Sequence, residues 1–260
     1  MMLKKYTFII LQLSLLFFAQ SGVASAAETA GTVERIAGNA TLSRNGFSKT
    51  LQLNTEVYQG DQINTTDAEL LLRLTDGTVL SVRPNTSFTV AEYRFNQTDS
   101  NQDNFLIKLA KGGFRTVTGL IGKRSPQKVH YHTPAATIGI RGTDFEVAVL
   151  DQNKPNAEAG TYNKVFEGGT YLENNQGNRV EVAPNQAAFS PANTLQIAQQ
   201  FGLLKQVPNV FFNGKFDNLL DVVQEEAMNR LEGEITKKIP GGQLPAGLKE
   251  LMPKLGDFFK

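Results

Sequence analysis

The alternation of apolar residues along this chain breaks once, in a way that a continuous strand cannot accommodate. Ala136, Ile138 and Ile140 alternate with small or polar residues, the period of a half-buried strand. From Asp144 onward the apolar set is Phe145, Val147 and Val149, which has the opposite parity. A slip of one residue turns every side chain to the other face, so something between Ile140 and Phe145 must absorb one residue. Gly142 can take a positive φ with no Cβ clash. The pattern therefore predicts a bulged corner in a β-structure, with Gly142 and Thr143 as its structural residues.

The same region is unusual in charge. From Asn104 to Thr143 there is no acidic residue, and both histidines of the chain fall inside the span. Strand alternation would put many of its basic side chains on one outer face. Lys111, Arg115, Lys123, Arg124, Lys128 and Arg141 are the candidate binding residues, suited to an anionic partner.

The first residues bear on the compartment. Lys4 and Lys5 precede an apolar run from Tyr6 to Ala19, and Ala24-Ser25-Ala26 has the small-x-small pattern of a cleavage site. Residues 1–26 read as a cleaved secretory signal, which implies a periplasmic or secreted protein. No later segment is long and apolar enough to cross a membrane. The chain has no cysteine, so its stability must come from an ordinary core rather than from disulfides. Removing Lys4 and Lys5 from the 26 basic residues leaves 24 against 25 acidic ones. The mature chain is near neutral, and the basic span is a local asymmetry.

From residue 31 to 190 short strand-like runs alternate with turn residues. Asn45-Gly46 is a strong hairpin signal. Leu70, Leu72 and Leu74 run into Asp76-Gly77, and Val79 to Val82 returns, which makes the clearest hairpin in the chain. Residues 92–104 are polar and read as a loop with little hydrophobic anchoring. Lys128 to His132 reads as a strand that Pro134 ends or places on an edge. Strands of this length at this spacing predict an all-β sandwich or barrel-like domain of short antiparallel strands.

Composition changes at Ser190-Pro191, and residues 191–260 read as a helical C-terminal region. Asn193 could cap a helix ending near Gly202. Phe216, Leu220, Val223, Ala227, Leu231 and Ile235 follow helical spacing, with Asp217 and Asp221 at the start and Lys237 and Lys238 at the end, as the helix dipole favours. Pro240-Gly241-Gly242 would stop this helix, and a short apolar tail follows from Leu248 to Phe259.

The strings LAKGGFRTVTGLIGK (109–123) and TPAATIGIRGTDFEV (133–147) resemble the FecR domain, and in particular secreted FecR-domain proteins with the TIGIRGT signature. Further matching residues are Gly60-Asp61-Gln62-Ile63, Asp76-Gly77-Thr78 and the closing ENNQGNRVEVAPNQAAF (173–189). The resemblance implies a β-rich periplasmic domain that works by binding. In the regulator branch that domain relays the state of an outer-membrane transducer to a cytoplasmic σ factor. This chain has a signal peptide where those regulators carry a cytoplasmic anti-σ segment and a membrane helix. The family supplies no catalytic residue.

Other chemistries find little support. His130 and His132 are two apart and would share one face of a strand, but with no cysteine and no third histidine the metal set is incomplete. There is no GxSxG motif and no phosphate loop, and Asp61, Asp76 and Asp144 sit where carboxylates cap turns. The expectation is a non-enzymatic exported binding module without cofactor or metal, recognising a protein or an anionic envelope polymer but no nucleic acid. The alternative is an accessory component of envelope signalling, of the FecR-type iron and σ-factor kind, or of surface-structure assembly.

Overall fold

One long strand, β9 (Asn104–Val117), runs through two sheets of this β-sandwich. The computed structural model describes residues 28–192, 201–211, 213–238 and 247. The first sheet takes, in spatial order, β4 (Glu56–Tyr58), β1 (Thr29–Ala37), β6 (Glu69–Leu74), β7 (Val79–Val82), the C-terminal half of β9, β12 (Asp144–Leu150), β13 (Gly160–Glu167), β16 (Ala187–Pro191) and β17 (Gly202–Leu203). The second takes β3 (Phe47–Thr50), β2 (Ala40–Arg44), β5 (Gln62–Thr65), β8 (Ser87–Arg94), the N-terminal half of β9, β10 (Val129–His132), β11 (Ala136–Ile140), β14 (Thr170–Asn174) and β15 (Arg179–Val182).

The crossing in β9 occurs at Gly112-Gly113. Gly112 has φ +80°, and a Cβ there would overlap the backbone of Thr86; a Cβ on Gly113 would overlap the carbonyl oxygen of Val147. Only glycine allows the two neighbouring chains to approach this closely. Between the sheets, Phe88, Phe114, Tyr131, Phe145, Phe105 and Tyr93 form a chain of ring contacts with centroids 5.0–6.1 Å apart, mostly edge-on or tilted, as ring quadrupoles favour.

The all-β domain with a C-terminal helix matches the expectation from the sequence, with several corrections. The strands are not all short and antiparallel: β9 has 14 residues and pairs in parallel with β10. β10 ends at His132, just before Pro134, as one of the two readings has it, but it is not an edge strand, since it lies between β9 and β11. β9 ends at Val117, and Leu120–Arg124 forms a short helix, α1. Its first amides are held by Asp76, whose carbonyl accepts from Leu120 N (2.8 Å) and whose buried carboxylate accepts from Ile121 N (3.3 Å).

The polar loop after β8 is also better anchored than its composition suggests. Arg124 donates to both carboxylate oxygens of buried Asp103 (2.8 Å each) and to the carbonyls of Asn96 and Gln97. Lys128 donates to the carbonyls of Ser100 and Asn101. Charged side chains from a distant part of the chain order this loop, together with Phe95, which is buried in the core beneath Arg124.

The sandwich contains an internal repeat. The unit β1, β2, β5, β6, β7, β8 recurs as β11, β12, β13, β14, β15, β16, with the sheets exchanged: β1 pairs β6 as β11 pairs β14, and β5 pairs β8 as β13 pairs β16. The hairpin glycines Gly77 and Gly177 have φ +84° and +82°, and Asn85 and Asn185 have φ 55° and 64°. Gly77 N donates to Leu74 O and Gly177 N to Asn174 O, both at 3.0 Å. The signal is present in the sequence as DGTVLSVRPN (76–85) and QGNRVEVAPN (176–185).

The second helix, α2 (Leu220–Lys238), is preceded by a 3-10 turn, Asp217–Leu219. It packs on the outer face of the first sheet. Leu220 and Val223 meet Leu71, Val79 and Val117, while Met228, Leu231 and Ile235 join the main core. Among the described residues, no helix is long and apolar enough to cross a membrane. The signal at 1–26, the helix expected after Asn193, its Pro240-Gly241-Gly242 stop and the apolar tail lie outside the described residues.

An ion cluster fixes this docking. Arg83, 2% exposed, donates to Glu146 (2.9 and 3.1 Å) and to both oxygens of Asp217 (2.6 and 2.9 Å). Burial works against the guanidinium charge, but the hydrogen bond to Asp217 and the charges of Glu146 and Asp217 more than offset it, so its pKa is raised. Gly214 packs so closely that a Cβ there would overlap the guanidinium. Truncation by Arg83→Ala would leave two carboxylates buried without their cation, and breaking such a cluster costs about 3–5 kcal/mol. Urea denaturation of the variant should show a loss of that size, and limited proteolysis should cut the segment before α2 that is protected in the wild type.

Candidate functional site

The corner between β11 and β12 is where the parity switch occurs. Gly142 has φ +61°, and the chain passes there from the second sheet into the first. It is thus a crossover between sheets, not a bulge within one strand. Arg141 N donates to Gly169 O (2.8 Å), Thr143 N to Thr118 Oγ1 (2.9 Å) and Thr143 Oγ1 to Glu167 O (2.7 Å). Gly168, φ +72°, lies against this turn, and a Cβ on it would overlap the carbonyl oxygen of Gly142.

The equivalent corner of the first repeat is closed. There Gly38 takes φ +106°, and the carboxylate of Asp67 accepts from the backbone N (2.7 Å) and side-chain Nδ2 (3.2 Å) of Asn39. In the second repeat Thr143 stands in place of Asn39 and Glu167 in place of Asp67. The Glu167 carboxylate makes no hydrogen bond or ion pair among the described residues. Burial, then repulsion from Asp144 and Asp221, raises its pKa. The corner that is sealed in one repeat opens in the other into a groove of about 280 Å3 lined by Lys123, Arg141, Thr143, Glu167 and Gln224. Gln224 belongs to α2 and donates to Thr118 O (2.8 Å), so the helix forms one wall.

The six basic candidates do not share one face. Arg115 is bidentate to Asp144 (2.5 and 3.0 Å) and stacks over Phe166 at 4.0 Å. This occupies the Asp144 carboxylate, which caps no turn. Arg124 and Lys128 are committed to the 96–103 loop. The side chain of Arg141, 65% exposed, makes among the described residues only a solvent-facing pair with Glu181 (3.2 Å). Lys111 is exposed at the other end of the sheet crossing. Lys123 is different: it is half-buried in the groove with no hydrogen bond or ion pair among the described residues, and burial alone lowers its pKa to about 8. Lys123 and Arg141 are therefore brought together, while Arg115, Arg124 and Lys128 are consumed in holding the fold.

His130 and His132 lie on the outer face of the second sheet with ring centroids 6.3 Å apart. Burial lowers the pKa of both. The neighbouring histidine adds to this for His130 and Lys108 for His132, while Glu173 and Glu92 act in the opposite sense. Among the described residues no group of three or more potential ligands could hold a metal.

Two outcomes test this geometry. Gly142→Ala is strained only through its φ, since nothing lies within 4 Å of the added Cβ, and should cost about 1–2 kcal/mol in denaturation. Gly168→Ala adds a backbone overlap and should cost more. The second test is pH. The folded-state pKa of Lys123, about 8, lies below its ordinary 10.5, so the unfolded chain binds more protons between these values and stability rises with pH there. Lys123→Met should remove that rise without lowering stability at pH 7.

Two crystal structures of "a putative anti-sigma factor" from Parabacteroides distasonis ATCC 8503 align with this chain at 15% identity and TM-scores of 0.40 and 0.41, covering 56% of this chain and 58% of theirs. A "cell surface anchoring domain" aligns at 21% identity over 23% of this chain and 82% of its own length, with a TM-score of 0.22. The chain thus spans under two thirds of the anti-sigma structures, and likenesses of this size carry no functional argument. No curated protein matches the sequence. The family model "FecR protein" matches residues 61–169, from β5 to just past β13, which includes α1, Lys123 and the whole Gly142–Gly168 corner. Residues 61–169 thus match the FecR model, within a β-sandwich that extends beyond them on both sides.

Proposed function

We propose that the protein is a non-enzymatic binding module of the bacterial envelope, exported after cleavage of residues 1–26, that recognises an anionic group on a protein or envelope polymer. The observation that carries this reading is Lys123. A half-buried ammonium without a carboxylate partner is costly unless a charge of opposite sign completes it. The fold tolerates it at the mouth of a groove that the sister repeat closes with Asp67. Arg141, held only by an exposed pair of the weak kind, can turn to the same ligand.

The FecR match favours a particular setting, in which the partner belongs to an envelope signalling system and the module acts as its accessory. In this setting the groove reads an acidic side chain of the partner protein. The roles of α2 and the buried Arg83 cluster are structural: they build the wall that carries Gln224.

The experiment is capture from envelope extract by wild-type protein, with Lys123→Met, Arg141→Ala and Lys111→Ala run beside it. Wild type and Lys111→Ala should retain a shared partner that the Lys123→Met and Arg141→Ala variants lose by about tenfold or more in affinity, and N-terminal sequencing of the exported protein should begin at Ala27. If the Lys123→Met and Arg141→Ala variants capture everything that wild type does, the groove is not the recognition site. A protein retained in the cytoplasm would remove the envelope assignment.

A further inference from the structure

Among the described residues each sheet of the sandwich ends in two edge strands, all four of them short, but they differ in how the edge is protected. β4 has three residues and β17 two. β15 carries Arg179 and Glu181, which pair with each other at 3.0 Å, and Arg179 stacks 3.4 Å over Tyr171. Short length and charge are the usual protection of an edge. β3 has less of it. All four of its residues are exposed, Phe47 at 83%, its pairing with β2 is regular, and it contains no proline.

The turn before β3 fixes which way its backbone faces. Asn45 and Gly46 have φ 51° and 82°, a two-residue type I′ hairpin. In such a hairpin the flanking residues Arg44 and Phe47 form a hydrogen-bonded pair, and these pairs then recur at every second residue. Leu51 N donating to Ala40 O at 2.9 Å keeps the same phase. The peptide groups of Phe47 and Lys49 are therefore engaged with β2, and those of Ser48 and Thr50 point away from it, toward solvent. The side chains of Phe47 and Lys49 stand on the other parity, beside Leu42 and Arg44, and line a groove of about 340 Å3.

We infer that β3 is a self-pairing edge: two copies of this chain join antiparallel about a twofold axis through Ser48, which extends the second sheet across the dimer. The register follows from charge. A continuous sheet requires residues of one face to oppose residues of the same face. A twofold through Lys49 would set two ammonium groups against each other, and one through Phe47 would leave Lys49 opposite Asn45 in the turn. The twofold through Ser48 sets each Phe47 opposite Lys49 of the second copy, a cation against a ring, and repeats that contact by symmetry. It also makes Ser48 a hydrogen-bonded pair with its own copy through the outward N–H and C=O groups. Knob and socket lie on the same patch, as an isologous interface requires. A four-residue edge is small, so the association is weak and concentration-dependent. This inference does not rest on the Lys123 groove.

Sedimentation of the mature chain over a concentration series should show a monomer–dimer equilibrium with no larger species. Phe47→Lys, which opposes Lys49 with a second cation, should raise the dissociation constant by about tenfold or more, and Phe47→Lys with Lys49→Glu should restore it. Ser48→Pro removes the outward N–H and one exposed hydroxyl contact with Ser43 (3.3 Å); it should give monomer, and Ser48→Ala, which loses the same contact but keeps the N–H, should still dimerise. Because the chain has no cysteine, Ser48→Cys supplies a single thiol, and oxidation should yield a disulfide dimer, since a hydrogen-bonded pair brings the Cα atoms to about 5.5 Å. Monomer at every concentration, oligomers that grow beyond the dimer by pairing β3 on β15 head to tail, or a Phe47→Lys/Lys49→Glu variant that stays monomeric would each overturn the inference.

Discussion

The sandwich depends on one strand lying in two sheets. β9 pairs with β8 and β10 over its first half and with β7 and β12 over its second, and the switch is made at Gly112-Gly113. Because the strand is continuous, the two sheets cannot slide relative to one another without breaking the register of both. The aromatic chain from Tyr93 to Phe145 fills the space that this crossing sets. Thr86 Oγ1 accepts from Gly113 N (3.0 Å) and donates to Gly113 O (3.1 Å), which holds the crossing at the point where side chains are absent.

Charge completes what the apolar core begins, and it does so selectively. Arg83, Arg124 and Arg115 each bind a carboxylate with two donors, and each ties together segments far apart in sequence. Guanidinium suits this because its planar fork matches a carboxylate. The lysines of the same region are treated differently: Lys128 holds loop carbonyls, Lys111 faces solvent, and Lys123 has no partner among the described residues. The internal repeat makes the last case informative. Two corners of the same construction differ in that one closes over its acid and the other does not.

Much of the strand pattern was legible in the sequence, because each hairpin announces itself through local chemistry. Asn45, Gly46 and Gly77 take positive φ and are flanked by alternating residues, so their turns could be placed without any tertiary information. The α2 helix was legible for a similar reason, since its apolar spacing and terminal charges are local. The repeat was legible too, in the matched Gly-to-Pro-Asn segments, and was missed because its two copies share turn residues while their strand residues differ. What local reading misjudged was the role of the basic span. Alternation reports which way a side chain points, but not whether a carboxylate 20 or more residues away will meet it, as Asp103 meets Arg124 and Asp144 meets Arg115.

By itself the sequence determined the class of fold, the turn positions and the need for a discontinuity at Gly142, because these follow from backbone sterics and from the two-residue period of a strand. Only the tertiary structure decided that the discontinuity is a passage between sheets, that β9 belongs to both, and that of six basic candidates Lys123 and Arg141 share a groove. Those outcomes depend on long-range pairing, in which the position of each charge is set by strands that are neighbours in space and distant along the chain. The parity switch could be read from one segment; the groove beside it needed four segments, Lys123, Arg141 to Asp144, Glu167 and Gln224, to arrive at the same place.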